Sequence, residues 1–204
     1  MKYNDKIIFA TGNQDKMKEI RMILGDLKLP VVSLKEAGID VDIVEDGKTF
    51  EENAIIKAKE IMKLTGCVTL ADDSGLEVDY INKEPGIYSA RYLGTDTGYD
   101  VKNQSIIDRL KDAKGDERSA RFVCAIAACL PDGSVLTTEG TIEGVIGYEE
   151  KGENGFGYDP ILYVPEYGMT TGQMNPEDKN KISHRGKALR LMKEKLENIL
   201  EIDI

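Results

Sequence analysis

The stretch SARFVCAIAACLPDGSVLTTEG, residues 119–140, decides the architecture. Ser119 to Leu130 is long, apolar and rich in small residues, which reads as a strand in the interior of a sheet. Pro131-Asp132-Gly133 turns the chain, so that Ser134 to Gly140 returns as the second arm of a hairpin. Thr141 to Ile146 continues extended. What precedes this hairpin has a different rhythm. Lys6 to Ala10 reads as a strand and Thr11-Gly12-Asn13 as a turn, and Met17, Ile20, Ile23 and Leu24 give Asp15 to Leu24 a helical period. Val31 to Leu34 is a second short strand. Thr49-x-x-Glu52 is a capping box opening a helix with Phe50, Ala54, Ala58, Ile61 and Met62 on one side and Gly66 as its stop. Val68 to Ala71 then reads as a strand ended by two aspartates. Further on come a loop at Pro85-Gly86, a helix over Asp100 to Lys111, a short strand at Ile161 to Val164 and a helix start at Asn175-Pro176. A last helix runs from His184 to Leu200 with Ala188, Leu191, Met192, Leu196 and Ile199 inward. Alternating strands and helices followed by a hairpin predict an α/β fold with a mixed sheet.

The 204 residues suffice for one core or two closely packed lobes. A net charge of −10 makes the surface repel nucleic acid, yet a few converging lysines still suit a small anion. No apolar run reaches the ~20 residues of a membrane span, and the first residues lack a signal peptide's apolar core, so a cytoplasmic location is expected. Cys67, Cys124 and Cys129 are odd in number and form no CxxC pair, which disfavours disulfides and zinc. His184 is the single histidine. Metal sites built on two imidazoles are thereby excluded, and an oxygen-ligated cation such as Mg²⁺ is left.

Five segments carry chemistry. FATGNQDKMKE, residues 9–19, places a helix N-terminus after a tight strand end, with Lys16 one turn in. Free N–H groups there suit a phosphate, and the same residues also make an ordinary turn with Asn13 or Asp15 as cap. VEDGKTFEENAIIKAKE, residues 44–60, puts Asn53 and Lys57 four apart on one helix face, where a solvated charged face is the alternative. In ADDSG, residues 71–75, adjacent side chains on extended backbone point opposite ways. One aspartate can face a ligand or metal while the other holds it in place or caps a turn. GENGFGYDPI (152–161) and NPEDKNKISHRGKAL (175–189) offer an aromatic, glycine-lined wall suited to a nucleobase, and Lys179, His184 and Arg185 near a helix start. Neither a P-loop nor a dinucleotide fingerprint is completed: Glu153 and Pro160 stand where lysine and glycine are required. A serine hydrolase built on Ser74 and His184 lacks the GxSxG elbow.

Taken in order, TGNQDK, EDGKTFEENAIIKAK, ADDSGLEVD, PGIYSARY, GFGYDPI and KISHRGKAL resemble the noncanonical purine nucleoside triphosphate pyrophosphatases, the family of inosine triphosphate pyrophosphatase, from about Ile7 to Leu196. The resemblance implies a two-lobed α/β fold around a long twisted mixed sheet flanked by helices, with a cleft between the lobes of a single domain. It implies a homodimer and Mg²⁺ as cofactor. The implied reaction is hydrolysis of ITP, dITP or XTP to the monophosphate and pyrophosphate. Under it, Thr11, Gly12, Asn13, Gln14, Asp15 and Lys16 would hold phosphates together with Lys57, and Asp73 would be the catalytic carboxylate with Ser74 touching substrate. Phe156, Gly157, Tyr158 and Asp159 would line the nucleotide pocket, and Lys179, His184 and Arg185 would finish it near the base. Many relatives carry Glu-Glu-x-Gly where this chain has Val44-Glu45-Asp46-Gly47, so the metal ligands are assigned as Asp73 and Glu45, with Asp46 the alternative to Glu45.

Overall fold

In the computed structural model, which describes residues 5–202, the opening strand β1 (Ile7–Phe9) runs parallel to β2 (Val31–Ser33) and to β3 (Val68–Val78). Ile7 lies opposite Val31 on one side and Val68 on the other. Between the strands lie α1 (Gln14–Leu24) and α2 (Phe50–Thr65). Each starts where its sequence supplies a cap. Asn13 accepts from the N–H of Asp15 and Lys16, and Thr49 accepts from that of Glu52. The Glu52 carboxylate accepts from the Lys48 N–H, one residue ahead of the expected capping-box partner, at 2.6 Å. Gly66 ends α2 in the left-handed conformation, φ 66°.

The chain divides into two compact units. The first comprises residues up to Asp73, Cys124–Gly140 and Arg185 onward. Its sheet is buried on both faces, as strand alternation requires. Ile7, Phe9 and Leu70 pack with Met17, Ile20 and Leu24 of α1 and with Ala188, Leu189, Met192 and Leu196 of α5 (His184–Ile202). Ile8, Ala10 and Ala71 pack with Ala54, Ala58 and Ile61 of α2. The hairpin predicted at Pro131-Asp132-Gly133 joins β5 (Ser119–Cys129) to β6 (Val135–Ile146), closed by Leu130 N–H to Ser134 O at 2.9 Å. Leu191, expected inward on α5, is 47% exposed, because the buried stripe takes Leu189 instead.

The second unit comprises Ser74–Val123 and Thr141–His184. It holds the far half of β3, β4 (Glu84–Pro85), α3 (Tyr99–Arg109), β7 (Leu162–Val164), β8 (Met169–Thr170) and α4 (Pro176–Ile182). β4 lies antiparallel on β3, β7 on β6 and β8 on β7. Leu76, Ile106, Leu110, Phe122, Ile142 and Ile161 centre its core. The strand order is β2-β1-β3-β5-β6-β7-β8, with β4 on β3, so the sheet is mixed.

One expectation is corrected. β3 does not stop at Ala71 but continues to Val78, with Asp72 and Asp73 inside it. The strand has neighbours on both sides, β1 and β5, which keep its backbone in the ladder. Cationic side chains meet the two carboxylates on either face, so the acids need not end the strand.

Candidate active site

The alternation of β3 sorts the paired aspartates. Asp72 shares the face of Leu70, where α1 and α5 pack, and Asp73 shares the face of Ala71, where α2 packs. Asp72 is 1% exposed. Lys16 of α1 reaches its Oδ2 at 3.1 Å, and Arg185 of α5 reaches the same oxygen through Nη2 at 3.2 Å. A second arm of Arg185 pairs with Glu19 of α1. Burial pushes the Asp72 carboxyl up, but Lys16, Arg185 and Lys57 outweigh it and hold the acid well below the ordinary carboxylate range. This group stays charged, and it fixes two cations.

Asp73 is in a different state. Asn53 Nδ2 donates to its Oδ2 at 3.0 Å. The Lys57 ammonium lies 3.8 Å from its Oδ1 and 3.1 Å from Oε2 of Glu45. Burial raises the Asp73 carboxyl to about 6; Lys57 and the Asn53 hydrogen bond oppose the shift, and the negative charges of Glu45 and Asp72 add to it. Burial lowers Lys57, yet Asp72, Asp73 and Glu45 together raise it, so the ammonium stays protonated. Adjacent residues of one strand thus become a locked structural anion and an adjustable one.

The turn before α1 is shaped by its own side chains. Thr11 Oγ1 accepts from the Asn13 N–H at 3.1 Å, and Asn13 Oδ1 is occupied with the N–H groups of Asp15 and Lys16. Gly12, Asn13, Gln14 and Asp15 are exposed and Thr11 is buried. Asn13 therefore caps the helix, and Asp15 pairs with Lys18 at 2.9 Å. Asp46 is exposed and forms no ion pair among the described residues, whereas Glu45 is half-buried against Lys57.

In the second unit, Asp159 is the hub. It is 3% exposed, accepts from Lys179 Nζ at 2.7 Å, from the Phe156 N–H at 2.8 Å and from Thr171 Oγ1 at 2.8 Å. Lys179 Nζ also lies 5.2 Å from the Phe156 ring centroid. Tyr158 donates its hydroxyl to Ser89 O at 2.7 Å. His184 is buried with its ring 5.0 Å from that of Phe122. Ser74, half-buried, follows Asp73 on β3.

The structure thus gathers Lys16, Lys57, Glu45, Asp73 and Arg185 in the first unit, and Phe156, Asp159 and Lys179 in the second, with Gly157 and Tyr158 on the same turn; His184, in the second unit too, packs on Phe122. Arg185, expected beside the base, is held by Asp72 and Glu19. Two contributors had no role in the sequence reading, Asp72 as counter-ion and Glu19 as its partner on Arg185; Asn53, read there as sharing a helix face with Lys57, is the donor to Asp73. The i, i+4 spacing of Asn53 and Lys57 was the available signal for the last.

Comparison with known proteins shows the family. A family model described as the Ham1 family matches residues 7–195. The chain belongs to the Ham1 family. It is 48% identical over 202 residues to a dITP/XTP pyrophosphatase of Clostridium perfringens, covering 96% of this chain and 99% of that protein. It is 46% identical over 189 residues to one of Thermus thermophilus, covering 93% and 90%. Among solved structures, the Ham1 protein of Staphylococcus aureus superposes with a TM-score of 0.85 at 41% identity, covering 95% of this chain and 98% of that one. A HAM1 protein from Coxiella burnetii gives 0.86 at 40%, with the same coverages. The α/β architecture expected from the hairpin and the strand–helix alternation is therefore the Ham1 fold.

Proposed function

We propose that this Ham1 protein is a dITP/XTP pyrophosphatase, cleaving ITP, dITP and XTP between the α and β phosphates to the monophosphate and pyrophosphate. The observation that carries the reading is identity of 43–48% over at least nine-tenths of the chain to several proteins of that name. The side chains supply compatible chemistry. Lys16 and Lys57 bring positive charge for a triphosphate, and the turn at Thr11–Lys16 leads into a helix N-terminus. Asp73 orients the attacking water. A carboxyl whose affinity for a proton is raised toward neutrality suits that task better than the locked Asp72.

The donor set fits a hard divalent cation. Glu45 and Asp73 already share one positive charge, the Lys57 ammonium, and both offer oxygen. Among the described residues no group of three or more His, Cys, Asp or Glu is placed to hold a metal. Mg²⁺ accepts that situation, since it commonly takes one or two carboxylates and fills its other positions with water and substrate phosphates. Glu45 and Asp73 would hold it, with Asp46, exposed and outside the cluster's ion pairs, as the alternative to Glu45. Bound there, the ion would neutralise charge on the polyphosphate. Phe156, Gly157, Tyr158, Asp159, Lys179 and His184 would receive the base, Arg185 would act through Asp72 and Lys16, and Ser74 would touch substrate beside Asp73. A homodimer in the cytoplasm completes the proposal. No helix among the described residues is long and apolar enough to cross a membrane.

The test is a panel of ITP, dITP, XTP, ATP and GTP assayed for pyrophosphate release with and without Mg²⁺. Preferential release from the 6-oxo purines lacking a 2-amino group is expected for ITP and dITP over GTP. Equal kcat/KM for ITP and ATP would refute the base preference.

A further inference from the structure

Residues Phe156 to Tyr158 belong to no strand or helix, so a sheet ladder does not set their peptide planes. Two turn bonds hold the outer carbonyls, Asp159 N–H to Phe156 O at 3.3 Å and Ile161 N–H to Tyr158 O at 3.1 Å, and side chains hold what lies between. The Phe156 N–H is taken by Asp159. The Gly157 carbonyl accepts from Nδ2 of Asn103, on α3, at 3.2 Å. The Tyr158 ring stands edge-on to Tyr99 of the same helix, centroids 5.2 Å apart at 88°. Gly157 has φ +66°, and a Cβ there would meet the Tyr99 ring at 3.6 Å. Asn103 is 1% exposed, and its Nδ2 also donates to Oε1 of Glu150 at 2.6 Å. With two acceptors around it, this atom is the amide nitrogen and not the oxygen. The Asn103 Oδ1 is buried and has no hydrogen-bond partner among the described residues. An unmatched buried acceptor disfavours folding, so packing alone favours an apolar side chain of this size here. The amide is explained by what its nitrogen holds.

Holding the Gly157 carbonyl has a directional result. The only cis peptide among the described residues is Glu84–Pro85, so the 157–158 peptide is trans and its N–H points opposite to its carbonyl. With the carbonyl tied to α3, the Tyr158 N–H points away from α3. Among the described residues neither it nor the Gly157 N–H donates to a backbone acceptor. We propose that Asn103 is a positioning residue for base selection: it aims the Tyr158 backbone N–H at the 6-oxo oxygen of the purine. Adenine presents an amino donor at that position, and two donors then face each other. The inference rests on the pyrophosphatase reading above.

The test compares pyrophosphate release from ITP and ATP, with Mg²⁺, by the full chain and by Asn103→Leu, Asn103→Ser and Glu150→Ala, each first checked for folding by circular dichroism. Asn103→Leu lowers the ITP-to-ATP ratio of kcat/KM about tenfold or more, through KM for ITP, with kcat at saturating ITP held within about threefold. Asn103→Ser, which is smaller, reads the same if leucine is not accommodated. Glu150→Ala cuts the other bond of the amide on an exposed side chain and leaves the ratio unchanged. An unchanged ratio in a folded Asn103 variant, or equal losses on both nucleotides, overturns the assignment. Failure of the unaltered chain to release pyrophosphate from ITP overturns the pyrophosphatase reading itself, a result separate from any Asn103 effect.

Discussion

Asp72 and Asp73 are neighbours, and their conversion to asparagine should have opposite effects on stability. Asp72 is 1% exposed and is the shared counter-ion of Lys16 and Arg185. Removing one partner of a buried pair leaves charge uncompensated, at about 3–5 kcal/mol. Arg185 keeps Glu19, so Asp72→Asn should fall at the lower end. At about 2–4 °C per kcal/mol for a chain of this size, the melting temperature should drop by roughly 6–12 °C. Asp73 behaves otherwise. Its pKa rises from 3.8 to about 6, a shift of about two units, so above pH 6 its ionised form costs the fold at most about 3 kcal/mol. Asp73→Asn removes that charge, keeps an oxygen for Asn53, and should raise the metal-free melting temperature at pH 8 by several degrees. Turnover should nevertheless fall ~10²-fold or more, because the group proposed to orient water has lost its charge. Thermal melts in chelator and pyrophosphate release in Mg²⁺ measure both. Destabilisation of the two variants by similar amounts, or near-normal kcat for Asp73→Asn, would refute the division of labour.

Three further outcomes follow from the same geometry. Because the folded Asp73 pKa is raised, the metal-free protein gains stability from this group at low pH and loses it as pH climbs from about 4 to about 6; subtracting melts of Asp73→Asn from those of the unaltered chain should isolate this slope, and a flat difference contradicts it. Lys57→Met leaves Glu45 and Asp73 facing each other without their shared ammonium, and should cut turnover ~10²-fold while the chain stays folded. Lys179→Met strands the buried Asp159 carboxylate and loosens its hold on the Phe156 N–H, so KM for ITP should rise more than kcat falls.

Much of this was legible in the chain. Asn13, Thr49, Gly66 and Asn175 marked helix ends because capping is local chemistry that four or five residues can specify. The hairpin at residues 131–133 announced the mixed sheet for the same reason. What could not be read was long-range. The aspartates looked like a strand end because two acids in an interior strand are costly until Lys16, Lys57 and Arg185, remote in sequence, arrive beside them. Leu191 looked inward because its period fits almost as well as that of Leu189, and only the packing of α5 on α1 separates the two. Asn103 gave no sign at all: an asparagine among Lys102, Gln104 and Ser105 on a helix reads as solvent face, although Lys102 and Asn103 are both buried.

The paired acids sit in a doubly flanked strand, whereas Phe156 to Tyr158 hang on turn bonds and side-chain tethers. Such a layout separates what can drift from what cannot. On the proposed role of Asn103, exchanging tether residues one at a time would retune which base is admitted without touching the paired acids. A change at Asp72 or Asp73 leaves the ladder standing and upsets the balance of charge between the paired acids and their cations, so selection has little room to explore there.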